Sequence, residues 1–262
     1  MRIGIIGYGR MGSSLAKGMA KAGIIPTIYD LDEGKITKAK EDGIKSVKSI
    51  SDLNVCDIII IAVKPKDFAM VLEEIRKNLD GNKIFISIAA GITISFMESK
   101  LGKNAKIIRA MPNIAASIGE SISILIRNAN VTNDEINLAR RIFESVGMVF
   151  FIDDENIMDV ITGISGSGPA YFFLIMKIMT ELGEEFGLSK EMARKLVAQT
   201  CKAAGILALN SKEDFQSLIN LVASPGGTTE EAINVMISKG LPEIFRNAII
   251  AAIEKSKKLA IH

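Results

Sequence analysis

The stretch Gly7-Tyr8-Gly9-Arg10-Met11-Gly12 constrains the fold of this 262-residue chain more than any other. It joins an apolar, β-branched run, Arg2–Ile6, to an amphipathic stretch, Arg10–Ala22. In that setting each glycine has a task. Gly7 permits a tight turn, Gly9 lets a ligand approach the backbone, and Gly12 lets a helix pack on the preceding strand. The helix start then presents free N–H groups and the positive end of its dipole, which suits a pyrophosphate. Ile6, Gly7, Tyr8, Gly9, Arg10, Met11 and Gly12 are therefore expected to cradle a dinucleotide. An acidic residue about 20 positions downstream completes such a site by accepting hydrogen bonds from the adenosine ribose. Asp30 stands at the end of a second β-branched run, with Asp32 just beyond. Carboxylates there accept from a ribose diol and repel a 2′-phosphate, which favours NADH over NADPH, although Lys35 and Lys38 lie near enough to serve a phosphate.

The rest of the first half alternates short β-branched runs with amphipathic stretches, the pattern of parallel strands joined by crossover helices. Strands are expected at Arg2–Ile6, Thr27–Tyr29, Asp57–Val63, Lys83–Ser87, Lys106–Arg109, Ser121–Ile126 and Met148–Ile152. Ile58–Val63 is apolar on both faces, as a central parallel strand should be. Helices are expected at Arg10–Ala22, Glu33–Glu41, Asp67–Asn78, Thr93–Leu101 and Asn133–Ser145. Beyond about Asp153 the strand signal stops, and helical stretches follow at Ala170–Phe186, Lys190–Leu209, Phe215–Val222, Thr229–Lys239 and Pro242–Leu259. The expected fold is α/β: a Rossmann-type doubly wound sheet over residues 1–153, then an all-helical domain over 154–262, joined at Asp153–Met158.

Residue usage narrows the chemistry. The only histidine is His262, so no internal imidazole is available, and Ser-His-Asp hydrolysis, Cys-His proteolysis and histidine-ligated zinc are disfavoured. Cys56 and Cys201 lack the spacing of a metal site or redox pair and read as reduced core residues, so no metal is expected. The 32 basic and 30 acidic residues are spread along the chain and leave no footprint for nucleic acid. Lys255, Lys257 and Lys258 end a helix, where cations complement the dipole. Apolar runs such as Ile58–Val63 and Val146–Ile152 fall far short of the ~20 residues a membrane span takes. Glycines and Arg10 interrupt any signal-peptide core, so a cytoplasmic protein is expected. A mean hydropathy of +0.28 is high for a small monomer and points to a homo-oligomer that buries part of its apolar surface.

Four further segments are Ala62-Val63-Lys64-Pro65, Arg109-Ala110-Met111-Pro112-Asn113, Gly163-Ile164-Ser165-Gly166-Ser167-Gly168-Pro169-Ala170-Tyr171 and Ser224-Pro225-Gly226-Gly227-Thr228-Thr229. In this order and spacing the chain resembles the pyrroline-5-carboxylate reductases from Arg2 to about Leu259, and the last two segments carry the specificity of the match. The resemblance implies that Ala62, Val63, Lys64 and Pro65, together with Ser87, Ile88 and Ala89, line the cofactor crevice, with Asn113 among the cofactor contacts. That placement agrees with open α/β sheets, which bind ligands beyond the carboxyl ends of their strands. It further implies that Ser224, Gly226, Gly227, Thr228 and Thr229 hold the substrate carboxylate, that Thr229 is the catalytic residue at the ring nitrogen, and that Glu155 helps to hold the substrate. Glycines before a helix also make an anion receptor on physical grounds, while Ser224 or Thr228 as a plain N-cap is the structural alternative. Ser165–Tyr171 reads as a flexible turn closed by Pro169 at a helix start.

The implied reaction is hydride transfer from the dihydronicotinamide C4 to the imine carbon of 1-pyrroline-5-carboxylate, giving L-proline. A ring imine is basic enough to need no strong internal acid, so the missing histidine fits. The resemblance also implies a homodimer whose helical domains intertwine, with active sites between one subunit's cofactor domain and its partner's helices, and larger rings of dimers. Three departures stand out: Ile114 and Ala115 replace the family's Thr-Pro pair, Ser49 stands where an asparagine is usual near the adenosine ribose, and Leu218-Ile219-Asn220 reduces a Leu-Lys-Asp signature. Rival readings are a related imine or β-hydroxyacid reductase and a non-catalytic dinucleotide sensor. The hydroxy-acid enzymes use a lysine after the cofactor domain, and none lies between Asp153 and Tyr171. Thr228 and Thr229 argue against a sensor.

Overall fold

The structure, a computed structural model, describes residues 1–259, so His262 lies outside the described residues. Compactness divides the described residues into two units, Met1–Ser167 with residues 251–259, and Gly168–Ile250.

The first unit opens with β1 (Ile3–Ile6), α1 (Arg10–Lys21), β2 (Thr27–Tyr29), α2 (Glu33–Glu41) and the two-residue β3 (Lys45–Ser46). It continues through β4 (Ile58–Ile61), α3 (Pro65–Asn78), β5 (Ile84–Ser87), α4 (Ile94–Leu101) and β6 (Lys106–Met111) to β7 (Ser121–Arg127), α5 (Asn133–Glu144) and β8 (Gly147–Phe151). The strands form one eight-stranded sheet in the order β3-β2-β1-β4-β5-β6-β7-β8. β1 has β2 on one side and β4 on the other, so strand order reverses beside it. That reversal creates the crevice where doubly wound sheets bind ligands.

Burial explains the sheet. Ile58–Ile61 are all buried, and alternate residues feed different cores. Ile58 and Ile60 join Leu15, Met19 and Phe143 on one face, while Ile59 and Ile61 join Phe68, Leu72 and Phe96 on the other. Each such side chain contributes roughly 1.5–3 kcal/mol when removed from water.

Several sequence expectations change. β7 runs antiparallel to β6, because the connection Pro112–Glu120 is too short for a crossover helix. β3 and a 3-10 turn at Ile50–Val55 were not expected. α3 begins at Pro65 rather than Asp67, with proline at a helix start where its missing N–H costs nothing.

Ser165–Tyr171 is not a flexible turn. A 3-10 turn (Glu155–Ile157), α6 (Met158–Ile161) and a π-helical turn (Thr162–Gly166) run into α7 (Gly168–Glu185). Pro169 has no N–H for the carbonyl of Ser165 four residues earlier, and a widened turn absorbs the mismatch. Ser167 N–H instead reaches the Thr162 carbonyl at 2.9 Å, and the Asn113 amide donates to the Ser165 carbonyl at 3.4 Å.

This helical segment, up to Ser167, packs within the same compact unit as the sheet. Met158 is fully buried in a cluster with Met111 and Ile126, and the Ser256 hydroxyl donates to Asp159 at 2.6 Å. The end of the last helix therefore belongs with the sheet.

The second unit holds α7, α8 (Lys190–Asn210), α9 (Phe215–Val222), α10 (Thr228–Ser238) and α11 (Leu241–Leu259) up to Ile250. Ala193 and Val197 are its buried apolar side chains, whereas Phe172, Phe173, Leu182, Phe186, Leu207 and Leu221 are all more than half exposed.

Candidate active site

A crevice of about 320 Å³ opens beyond the carboxyl ends of β1, β2 and β4. Ile6, Gly7, Gly9, Asp30, Asp32, Ala62, Val63 and Lys64 all line it, as the sequence led one to expect. Gly7 has φ +100°, and a Cβ there would press on the Ala62 carbonyl. A Cβ on Gly12 would overlap the Gly7 carbonyl oxygen, whereas nothing lies within 4 Å of the space above Gly9. Gly9 is the N-cap of α1, and no side chain caps that helix. An open backbone face in front of uncapped N–H donors fits a dinucleotide pyrophosphate.

The other expected cofactor residues are not part of this crevice lining. Tyr8 is buried with its ring in the core, Arg10 and Met11 lie on α1 outside the crevice lining, and Pro65 starts α3. Ser87, Ile88 and Ala89 are buried beyond β5. Asn113 uses its amide within the protein, accepting from Ala115 N–H at 3.1 Å and donating to Ser165. Sequence reasoning missed Lys66, Met70 and Glu74, which line the crevice from α3. Their i, i+4, i+8 spacing from a helix start at Pro65 was the available signal.

Asp30 is more heavily engaged than its position alone suggests. Its Oδ2 accepts Tyr8 N–H at 2.6 Å, its Oδ1 accepts Asp32 N–H at 3.0 Å, and Lys35 Nζ lies 3.4 Å from both oxygens. Asp32 caps α2 by accepting Gly34 N–H at 2.9 Å. The crevice lining therefore mixes Asp30, Asp32, Asp67 and Glu74 with Lys35, Lys64 and Lys66. Burial raises the pKa of Tyr29, which also lines the crevice, and keeps its phenol neutral.

Glu155 sits in the first unit. Its Oε1 accepts from Arg109 Nη1 at 2.7 Å and from Ile94 N–H, the first of α4, at 3.0 Å. Arg109 is 3% exposed, and its Nε has no hydrogen-bond partner. This gives Glu155 a structural task that its sequence context did not reveal.

The loop Ser224–Thr229 lies in the second unit and ends at the N-terminus of α10. Gly227 is the N-cap, so neither Ser224 nor Thr228 takes that place. Two backbone donors are already used: Gly227 N–H reaches the Ser224 carbonyl at 2.9 Å, and Gly226 N–H reaches Glu230 Oε2 at 2.7 Å. Thr228 and Thr229 open the helix, where the N–H groups have no intrahelical partner. Glu230 was not singled out by sequence reasoning, although an acid at the third position of a helix start is a capping signal.

A glycine cradle at the switch point of a doubly wound sheet, followed by an all-helical unit, defines a nicotinamide-dinucleotide-dependent oxidoreductase. Comparison with known proteins narrows this. The family model described as pyrroline-5-carboxylate reductase dimerisation matches residues 155–259, and one described as NADP oxidoreductase coenzyme F420-dependent matches residues 2–91. Pyrroline-5-carboxylate reductase of Pseudomonas aeruginosa is 36% identical over 99% of this chain and 97% of its own, and that of Methanosarcina acetivorans 35% identical over 98% and 97%. Among solved structures, Plasmodium falciparum pyrroline carboxylate reductase with NADP bound superimposes with a TM-score of 0.92 at 34% identity, covering 100% of this chain and 98% of that one. The Coxiella burnetii pyrroline-5-carboxylate reductase gives 0.89 at 35% identity, covering 100% and 99%. The chain belongs to the pyrroline-5-carboxylate reductase family. Its helical region is a dimerisation domain, and among the described residues no helix is long and apolar enough to cross a membrane.

Proposed function

We propose that this chain reduces 1-pyrroline-5-carboxylate to L-proline in the cytoplasm, as a homodimer that assembles into larger rings, using NADH in preference to NADPH. The observation that carries the reading is the presence in one chain of an open glycine cradle and a helix start bearing Thr228 and Thr229. Full-length similarity to named pyrroline-5-carboxylate reductases supports it.

A bound reduced nicotinamide is a source of hydride. The chain's own residues hold and orient. Gly7, Gly9 and the start of α1 take the pyrophosphate, and Asp30 with Lys35 faces the ribose. Thr228 and Thr229 N–H groups, aided by the dipole of α10, hold the substrate carboxylate. The Thr229 hydroxyl hydrogen-bonds the ring nitrogen and turns the imine carbon toward the donor. Saturation of the C=N bond consumes one hydride at carbon and one proton at nitrogen, and solvent supplies the latter. Catalysis by positioning suffices because the imine is itself basic.

Glu230 also bears on the carboxylate site, since it occupies Gly226 N–H beside these donors. Glu155 is read as the partner of Arg109 rather than of the substrate ring. For cofactor choice, a 2′-phosphate would face Asp30, whose charge Lys35 matches only at 3.4 Å. NADP in the Plasmodium falciparum relative weighs the other way for that protein.

The test is oxidation of NADH and NADPH, followed by absorbance, with purified protein and 1-pyrroline-5-carboxylate. Turnover with either supports the activity, and turnover with neither removes it. Thr229→Ala is expected to lower kcat/KM about tenfold, the value of one hydrogen bond made to the reacting ring. Full turnover by that variant would remove the role given to its hydroxyl.

A further inference from the structure

Tyr8 stands between Gly7 and Gly9, which line the crevice, while its own side chain is buried in the core. The residue is 2% exposed and belongs to the core cluster that includes Leu15 and Ala39. Its phenol donates to Asp42 Oδ2 at 2.8 Å, and Lys17 Nζ of α1 lies 2.9 Å from the same oxygen. Asp42 is the C-cap of α2. The Tyr8 N–H donates to Asp30, past the end of β2, and Gly7 N–H donates to the Tyr29 carbonyl at 2.8 Å. Tyr8 thus ties the glycine loop to Asp30 just past β2, to the end of α2 and, through Asp42 and Lys17, to α1.

A turn of this kind needs only backbone at the position between its glycines, so a buried phenol with a charged acceptor calls for an explanation. Burial and the Asp42 hydrogen bond raise the pKa of the phenol, so it remains a donor at physiological pH. Although burial opposes it, hydrogen bonds from Lys17 and Tyr8 hold Asp42 below the usual carboxylate range. Donor and acceptor are therefore both in their bonding forms.

We propose that Tyr8 is a positioning residue for the dinucleotide: its phenol, anchored on Asp42, presets the loop so that the open face of Gly9 and the N–H groups of α1 stand ready before the ligand arrives. A preset loop loses less conformational freedom on binding, so the gain appears as affinity. The proposal rests on the reading of the crevice as a dinucleotide site. Tyr8 touches nothing that reacts, and its effect belongs to binding rather than to the chemical step.

The experiment uses the intact oligomer. Dissociation constants for NADH and NADPH are measured by reduced-nicotinamide fluorescence without substrate, for wild type, Tyr8→Phe, Asp42→Leu and the double variant. Initial rates at saturating dinucleotide and melting temperatures accompany them. In Tyr8→Phe both constants should rise about fivefold and by the same factor, because the loop meets the pyrophosphate common to both, with kcat within about twofold of wild type. Asp42→Leu should reproduce the rise, and the double variant should add little to either, as expected of two ends of one contact. If Tyr8→Phe does not fold, Asp42→Leu carries the test alone. Unchanged dissociation constants, an effect on one dinucleotide only, additive effects in the double variant, or a fall in kcat at constant affinity each overturn the proposal. Wild-type protein that binds neither dinucleotide overturns the reading of the crevice, and this proposal with it.

Discussion

At the scale of single residues, Asp30 shows how much a side chain can be asked to do. Spacing alone marked it as the acid past the second strand. Its simultaneous bonds to Tyr8 N–H, Asp32 N–H and Lys35 are tertiary facts that no local pattern encodes. On the proposed reading of the crevice as a dinucleotide site, Lys35 is the residue placed to answer a 2′-phosphate, since it can either neutralise Asp30 or reach the ligand. Lys35→Gln should lower the NADPH:NADH ratio of kcat/KM about tenfold, the value of one charge-assisted hydrogen bond. An unchanged ratio in parallel assays would show that Lys35 does not read the 2′ position. Glu155 offers a second test. The family resemblance implied a substrate contact, whereas its carboxylate holds a buried guanidinium. Glu155→Gln weakens that pair without emptying the space, at an expected cost of about 1–3 kcal/mol seen in thermal unfolding, with KM for the imine unchanged. A raised KM at constant melting temperature would return Glu155 to the substrate.

At the scale of elements, the parts legible in the sequence are those written locally. The isoleucine run of β4 has one stable place, buried on both faces of a parallel sheet, and the glycine loop needs its spacing wherever it occurs. Less was legible where long-range geometry decides. β3 is too short to leave a pattern, the reversal of β7 depends on how far Pro112–Glu120 can reach, and the π-turn before α7 depends on what Pro169 withholds from Ser165. The loop Ser224–Thr229 was legible as a helix start, but not that Gly226 and Gly227 already use their N–H groups. Gly12 gives the sharpest test of how strand and helix must fit. A methyl group there meets the Gly7 carbonyl, which is backbone and cannot swing aside. Gly12→Ala should therefore weaken binding of both dinucleotides about 5- to 150-fold, corresponding to 1–3 kcal/mol of overpacking. Titration of the variant with NADH measures this, and affinity equal to wild type would mean that α1 can shift without harm.

At the scale of the whole molecule, the two units stand in different energetic positions. The sheet unit buries large side chains on both faces and can account for its own folding. The helical unit buries Ala193 and Val197 while Phe172, Phe173, Leu174, Phe186 and Leu207 face outward. A core that small cannot offset the conformational entropy of ordering α7 to α10, so the missing burial must come from the partner subunit. This is the physical content of a dimerisation domain, and it links stability to concentration, because dissociation and unfolding of the helices become one event. Tenfold dilution should lower the melting temperature by about 2–4 °C, since each tenfold step is worth about 1.4 kcal/mol of association. Phe173→Asp places a charge in that face and should yield a species that sediments as a monomer, with reduced helical circular dichroism and no turnover, while the sheet unit still binds NADH. A melting temperature independent of concentration, together with a fully helical Phe173→Asp monomer, would mean that the helical unit is stable alone.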